Sequence, residues 1–186
     1  AVFGMLDMRK GHVRLDGEDI TDLSPQARVA KGLGFVPQTS NIFTSMTVEE
    51  NLEMGAFIRT DDFSDTMAQV YDLFPILQER RDQPSTSLSG GQQQMVAIAR
   101  ALSGNVEIIL MDEPFEGLSP TMIEELFESI NDLRSEVSLL IIEHQLDLVL
   151  ALADRAFILD RGVVSHEGPT RPLLEDLEFR KSKLWV

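Results

Sequence analysis

Apolar positions along the chain follow two periods. Ile108-Ile109-Leu110-Met111 and Leu139-Leu140-Ile141-Ile142 are short, almost wholly apolar runs, each followed by acidic or polar residues. Such runs predict parallel strands buried on both faces. Between them Ile123, Leu126, Phe127, Ile130 and Leu133 recur at helical spacing, which predicts a helix over 121–133. The alternation of strand, helix and strand marks an α/β fold with a parallel sheet. Upstream, Leu33-Gly34-Phe35-Val36 reads as a brief buried strand ending at Pro37-Gln38. Before it, His12-Val13-Arg14-Leu15 and Asp16-Gly17 read as a strand and a turn, and Ser24-Pro25 opens a short helix that Gly32 closes.

Helices fill the middle of the chain. Thr47-Val48-Glu49-Glu50 has capping-box spacing and predicts a helix over about 48–57. A second helix is predicted over 65–74, and a polar connection over 78–87 leads to a third that starts at Ser89. From Thr170 onward the pattern is that of a short amphipathic helix with a basic end at Arg180-Lys181-Ser182-Lys183. The run 1–6 reads like the inside of a helix; with no Met at its start, it points to truncation at the N-terminus.

Length and charge narrow the possibilities. The 186 residues suit one domain with a core of its own, and 43% hydrophobic against 25% charged residues is an ordinary globular balance. Sixteen Lys and Arg against 31 Asp and Glu give a net charge of -15, which repels phosphate backbones and excludes nucleic acid as a partner. There is no Cys, so neither a disulfide nor a thiolate metal site is available. No stretch approaches the roughly eighteen consecutive apolar residues of a membrane span, so any membrane role comes through a partner.

The most specific chemistry lies at Leu88-Ser89-Gly90-Gly91-Gln92, which runs on through Gln93, Gln94 and Met95 into a helix containing Arg100. Two glycines after a Ser at a helix start let another backbone approach closely, while free amides and the helix dipole attract an anion. By itself Ser-Gly-Gly is merely a capped, flexible helix entry. Followed by Ala97, Ala99, Arg100 and Ala101, it resembles the signature motif of the ATP-binding-cassette family.

A second element supports the resemblance. Ile108-Ile109-Leu110-Met111-Asp112-Glu113-Pro114 is an apolar strand ending in two adjacent carboxylates, where ligands of open α/β sheets sit. It comes about twenty residues after Gly91-Gln92 and resembles a Walker B motif. The resemblance implies that Asp112 holds Mg²⁺ through its water shell and that Glu113 polarises the attacking water as general base. His144 matches the family's switch histidine, within reach of a γ-phosphate, and Gln38 its Q-loop glutamine, whose amide oxygen ligates Mg²⁺ or positions water. His12 and His166 match nothing.

Two departures stand beside these matches. Ser119 occupies the place where many members have the Asp of the D-loop. No Gly-x-x-x-x-Gly-Lys-Ser/Thr phosphate loop occurs in the sequence, nor an adenine-stacking aromatic strand near its start; by the resemblance both would fall upstream of Ala1. The chain alone is accordingly expected to be inactive in turnover.

The resemblance extends over nearly the whole chain. Gly34-Phe35-Val36-Pro37-Gln38, Asn41-Ile42-Phe43, Thr47-Val48-Glu49-Glu50-Asn51-Leu52 and Glu143-His144 look like the branched-chain amino acid or urea importer branch. It implies an α/β cassette of the P-loop NTPase type, mainly a parallel sheet with flanking helices, as one domain over 1–186 with a helical subdomain over approximately 47–104. It further implies an ATP-hydrolysing subunit peripheral to the cytoplasmic face of a membrane, paired with a second nucleotide-binding subunit, on transmembrane permease subunits and indirectly served by a solute-binding protein. ATP would lie between the phosphate loop of one cassette and Ser89, Gly90, Gly91 and Gln92 of the other. Two other classes are a soluble member acting in translation or DNA repair, which the net charge and single cassette oppose, and a non-catalytic regulator, which the missing phosphate loop favours.

Overall fold

The computed structural model describes residues 1–39 and 41–184. In chain order the strands are β1 (Arg14–Leu15), β2 (Glu18–Asp19), β3 (Leu33–Val36), β4 (Ile108–Asp112), β5 (Ser138–Ile142), β6 (Arg155–Asp160) and β7 (Val163–Pro169). The helices are α1 (Pro25–Val29), α2 (Val48–Gly55), α3 (Ser64–Leu73), α4 (Pro75–Glu79), α5 (Gly90–Ser103), α6 (Pro120–Leu133), α7 (Leu146–Leu152), α8 (Arg171–Glu175) and α9 (Leu177–Leu184). They form two compact units, Ala1–Ile142 and Glu143–Val186.

The first unit is organised by a parallel sheet in the order β3-β4-β5, with Val36 opposite Met111 and Asp112 opposite Ile142. β4 is the central strand and its middle is buried: Ile109, Leu110 and Met111 are all inside, as an apolar run flanked on both sides requires. β5 departs from the expectation of burial on both faces. Its exposure alternates, with Leu140 38% and Ile142 59% exposed, because among the described residues its ladder partner is β4 alone and one of its faces is uncovered.

Helices and a small hairpin complete this unit. β1 and β2 pair antiparallel, and Ile20, Leu33 and Leu110 form a core cluster joined by Phe3, Val13 and Phe35. Residues 1–6 are turns rather than the predicted helix interior: Gly4 has φ +89 and donates to the Ala1 carbonyl at 2.8 Å, and Phe3 stacks on Phe35 at 4.9 Å. Over 47–104 the regular elements are all helical, from α2 to α5 with a 3₁₀ turn at Ser85–Ser87. α2 begins with the predicted capping box: Thr47 Oγ1 accepts from the Glu50 amide at 3.1 Å, and Glu50 Oε2 accepts from the Thr47 amide at 2.8 Å. α2 and α3 end near their predicted bounds, at Gly55 and Leu73.

The second unit holds α7, the β6–β7 hairpin, α8 and α9. Arg161 and Gly162 both take positive φ, 48° and 79°, which turns the hairpin in the sense its strand twist needs. Leu150, Leu152 and Leu173 are buried. The predicted tail helix is two helices, α8 and α9, separated by Asp176, whose φ of -116° and ψ of 100° are extended.

Candidate active site

The parallel sheet brings three of the predicted residues to one edge. β3 and β4 run side by side in register, so Gln38, just beyond β3, and Asp112 and Glu113, at the end of β4, lie past the carboxyl ends of neighbouring strands. Gln38 Nε2 donates to Glu113 Oε2 at 2.8 Å and also to Glu116 Oε2. The amide nitrogen is thereby engaged by two carboxylates, and the carbonyl oxygen of Gln38 keeps its acceptor capacity for a cation or a water. Glu116 is the contributor that sequence reading did not single out. Its signal was faint, a second acid three residues after Glu113 in a loop.

Glu113 occupies an uncommon backbone position. Its φ is +48°, a left-handed conformation that a residue with a Cβ adopts at a cost of about 1–3 kcal/mol. The neighbourhood holds it there: its amide donates to the Ile142 carbonyl at 2.8 Å, its carbonyl accepts from the Glu116 amide at 3.2 Å, and Phe115, two residues on, is fully buried. The effect is to turn Glu113 sharply out of the strand that carries Asp112.

Ser89, Gly90, Gly91 and Gln92 form the start of α5. Ser89 is the N-cap: its Oγ accepts from the Gln92 amide at 3.3 Å, and Gln92 Oε1 accepts from the Ser89 amide at 3.1 Å. The hydroxyl accepts in that box, so its proton remains able to donate to an anion. Gly90 is exposed, whereas Gly91 is buried against Met122 of α6. Ser119 is the N-cap residue of α6 with Pro120 behind it, and its side chain makes no capping bond.

His144 belongs to the second unit. Its ring is 62% exposed, with Nδ1 3.3 Å from Glu143 Oε1, which also accepts from the amides of His144 at 2.8 Å and Gln145 at 3.0 Å. Among the described residues no group of three or more His, Asp or Glu is gathered for a metal. The donors at the sheet edge, Asp112 and the Gln38 carbonyl, nevertheless suit Mg²⁺, which takes one or two protein oxygens and completes its shell with water and phosphate.

The sequence pattern described as ABC transporter matches residues 1–116. This chain belongs to that family. The protein is 41% identical over 160 residues, 84% of this chain and 69% of the relative, to the high-affinity branched-chain amino acid transport ATP-binding protein BraG of Pseudomonas aeruginosa. It is 35% identical over 184 residues, 97% of this chain and 78% of the relative, to the probable branched-chain amino acid transport ATP-binding protein LivF of Archaeoglobus fulgidus. The lipopolysaccharide export ATP-binding protein LptB of Escherichia coli is 36% identical over 182 residues, covering 94% of this chain and 75% of its own. Among solved structures, the ATP-binding cassette MJ1267 in its ADP conformation superposes with TM-score 0.83 at 27% identity over 97% of this chain and 79% of that one. The dimeric post-hydrolysis cassette MJ0796, bound to ADP and Pi, superposes with TM-score 0.73 at 26% identity over 88% of this chain and 75% of that one.

The fold is therefore that of a P-loop NTPase cassette, a parallel sheet with flanking helices. The chain is an ATP-binding subunit of a transporter, in a family that hydrolyses ATP to power transport. Among its described residues no helix is long and apolar enough to cross a membrane.

Proposed function

We propose that this cassette drives an importer of branched-chain amino acids, or of a related small solute such as urea, from the cytoplasmic face of a membrane. It would sit on transmembrane permease subunits, pair with a second nucleotide-binding subunit, and be served indirectly by a solute-binding protein. The solute reading is supported by the identity to BraG and LivF, both named for branched-chain amino acid transport. The similarity to LptB supports a second reading, a cassette of a lipopolysaccharide exporter.

The chemical reading is carried by one observation, the contact of the Gln38 amide with the Glu113 carboxylate at the sheet edge. Glu113 acts as the general base on the water that attacks the γ-phosphate. Gln38 orients that carboxylate by donating to it and offers its own carbonyl to the cation or the water. Asp112 would hold Mg²⁺, which when bound would supply positive charge against the phosphates. His144 contacts the γ-phosphate, and Ser89, Gly90, Gly91 and Gln92 close over ATP held by the partner cassette, with the Ser89 proton and the helix amides facing the phosphate.

The transported class is tested by reconstituting the cassette, joined to a segment with a phosphate loop, with each kind of permease in liposomes. ATP-dependent leucine uptake with a branched-chain permease, and none of lipopolysaccharide extraction with an exporter permease, is the expected result. Coupling to the exporter alone would transfer the assignment to the second reading.

A further inference from the structure

We propose that Arg100 is a positioning residue for hydrolysis: from α5 it holds the segment 41–43, and through that segment it fixes Gln38 against Glu113. The proposal rests on the roles of Gln38 and Glu113 given above. Its structural half, a clamp on the loop, stands on contacts alone.

Between Val36, where β3 ends, and Val48, where α2 begins, the chain has no helix or strand of its own among the described residues. Residues 41 and 43 are placed by side chains that reach them from elsewhere. Arg100 Nη2 donates to the Asn41 carbonyl at 2.6 Å, and its guanidinium lies over the Phe43 ring, 4.8 Å from the centroid. Gln94, one turn and a half earlier on α5, accepts from the Asn41 side-chain amide through Oε1. From α2, the wholly buried Asn51 accepts from the Phe43 amide at 2.7 Å and donates to the Phe43 carbonyl at 3.0 Å. Three side chains on two helices thus hold residues 41 and 43 by main chain, amide and ring.

Arg100 projects from a fixed point. Where α2 crosses α5, Gly55 leaves no space: a Cβ there would lie 1.9 Å from the Arg100 carbonyl oxygen. Its own backbone held, the guanidinium can brace the loop rather than follow it. It is half-buried, and burial pulls its pKa down from the ordinary value, a cost that a residue serving only as surface charge would not bear. The planar fork suits the task, since one edge donates to a carbonyl while the face covers an aromatic ring. Gln38 lies in the same loop, tethered at one end by β3 and at the other by this clamp. Loosening the far end frees the amide that meets Glu113, and misplacement by about 1 Å costs on the order of a hundredfold in rate.

The chain contains no Cys, so a nitroxide placed on Thr39→Cys, an exposed position next to Gln38, reports this loop alone. Its mobility would be compared in the parent and in Arg100→Met, which keeps the aliphatic stem and removes every donor. The same substitutions would be made in the chain joined to a phosphate-loop segment, and kcat and KM for ATP measured. Arg100→Met is expected to mobilise the label and to lower kcat on the order of ten- to a hundredfold, with KM within about twofold. Arg100→Lys, which retains a donor and a cation over the ring, should recover part of both. Phe43→Leu removes a ring that is 43% exposed, cannot open the core, and should mobilise the label to a lesser degree even if Arg100→Met fails to fold.

An unchanged label with unchanged kcat in Arg100→Met would overturn the proposal. So would equal losses in the Met and Lys variants that track a fall in Tm, which would make Arg100 a packing residue. Normal hydrolysis by Glu113→Gln would remove the base assignment instead, while the label would still report on the clamp.

Discussion

The two glycines of the Ser-Gly-Gly motif have different physical tasks, and a methyl group on each separates them. At Gly90 an added Cβ has 3.9 Å to its nearest neighbour, Leu118 Cδ2, an ordinary contact. At Gly91 it would meet Met122 Cε at 2.2 Å and, more seriously, Met122 Cβ at 2.9 Å. The thioether end can swing away, but the Cβ is anchored to α6, so relief requires α5 and α6 to part by several tenths of an ångström or more. Neither glycine has positive φ, so Ala strains neither backbone, and both variants gain up to about 0.5–1 kcal/mol of helix propensity. Overpacking costs about 1–3 kcal/mol. The net expectation is a loss of about 1–2 kcal/mol for Gly91→Ala and a change between about zero and a 1 kcal/mol gain for Gly90→Ala. Urea denaturation followed by circular dichroism measures both on the chain as it stands. The functional ranking should be the reverse: in the chain joined to a phosphate loop, Gly90→Ala should weaken ATP-dependent pairing on size exclusion, because its exposed face is where, on the proposed function, the partner's nucleotide would approach. A Gly91→Ala chain as stable as the parent, or a Gly90→Ala chain equally destabilised, would refute this division.

Gly55→Ala should be more damaging than either, since the obstacle at 1.9 Å is the Arg100 backbone oxygen rather than a side chain; a loss of about 3 kcal/mol or more is expected in the same denaturation assay. Burial, with the nearby Glu49 carboxylate adding to it, pushes the Tyr71 phenol up to about 12, and its hydroxyl is buried without a partner. A raised pKa leaves stability intact below the unfolded value of about 10 and removes it as pH climbs toward 12, because the unfolded chain releases the proton first. Tyr71→Phe should thus melt no lower at neutral pH and lose less stability between pH 10 and 12; Tyr71 is the chain's one tyrosine, so ultraviolet difference titration reads its ionisation directly.

Short-range patterns were the most legible in the sequence. The capping box at Thr47 and the helix start at Ser89 depend on residues a few positions apart, and the apolar run of β4 depends on burial from both sides; each appears in the structure as the pattern implies, and Ser89 closes a capping box of its own with Gln92. β5 carries a similarly apolar run, yet three of its five residues are exposed, because a run of this kind reports a preference for cover rather than its presence. The run 1–6 resembled a helix interior in composition, but Gly4 in a left-handed conformation breaks it into turns against Phe35 and Arg28. At the site, Gln38, Asp112 and Glu113 were each legible from a motif. Their convergence was not, since it follows from the parallel register of β3 with β4, a pairing across some seventy residues of intervening chain. Glu116 meets Gln38 through that convergence, so no local pattern could single it out.

The central claim, that Glu113 is the base and Asp112 the metal acid, is tested most directly in the chain joined to a phosphate-loop segment by comparing Glu113→Gln with Asp112→Asn. Glu113→Gln keeps shape and hydrogen bonding but cannot accept the proton, so ATP and Mg²⁺ should still bind while steady-state turnover falls on the order of a hundred- to ten-thousandfold. With ATP persisting, closed pairs of cassettes should accumulate with nucleotide trapped between them. Asp112→Asn should instead weaken Mg²⁺-dependent binding itself. A Glu113→Gln protein that hydrolyses ATP at a near-normal rate would contradict the account.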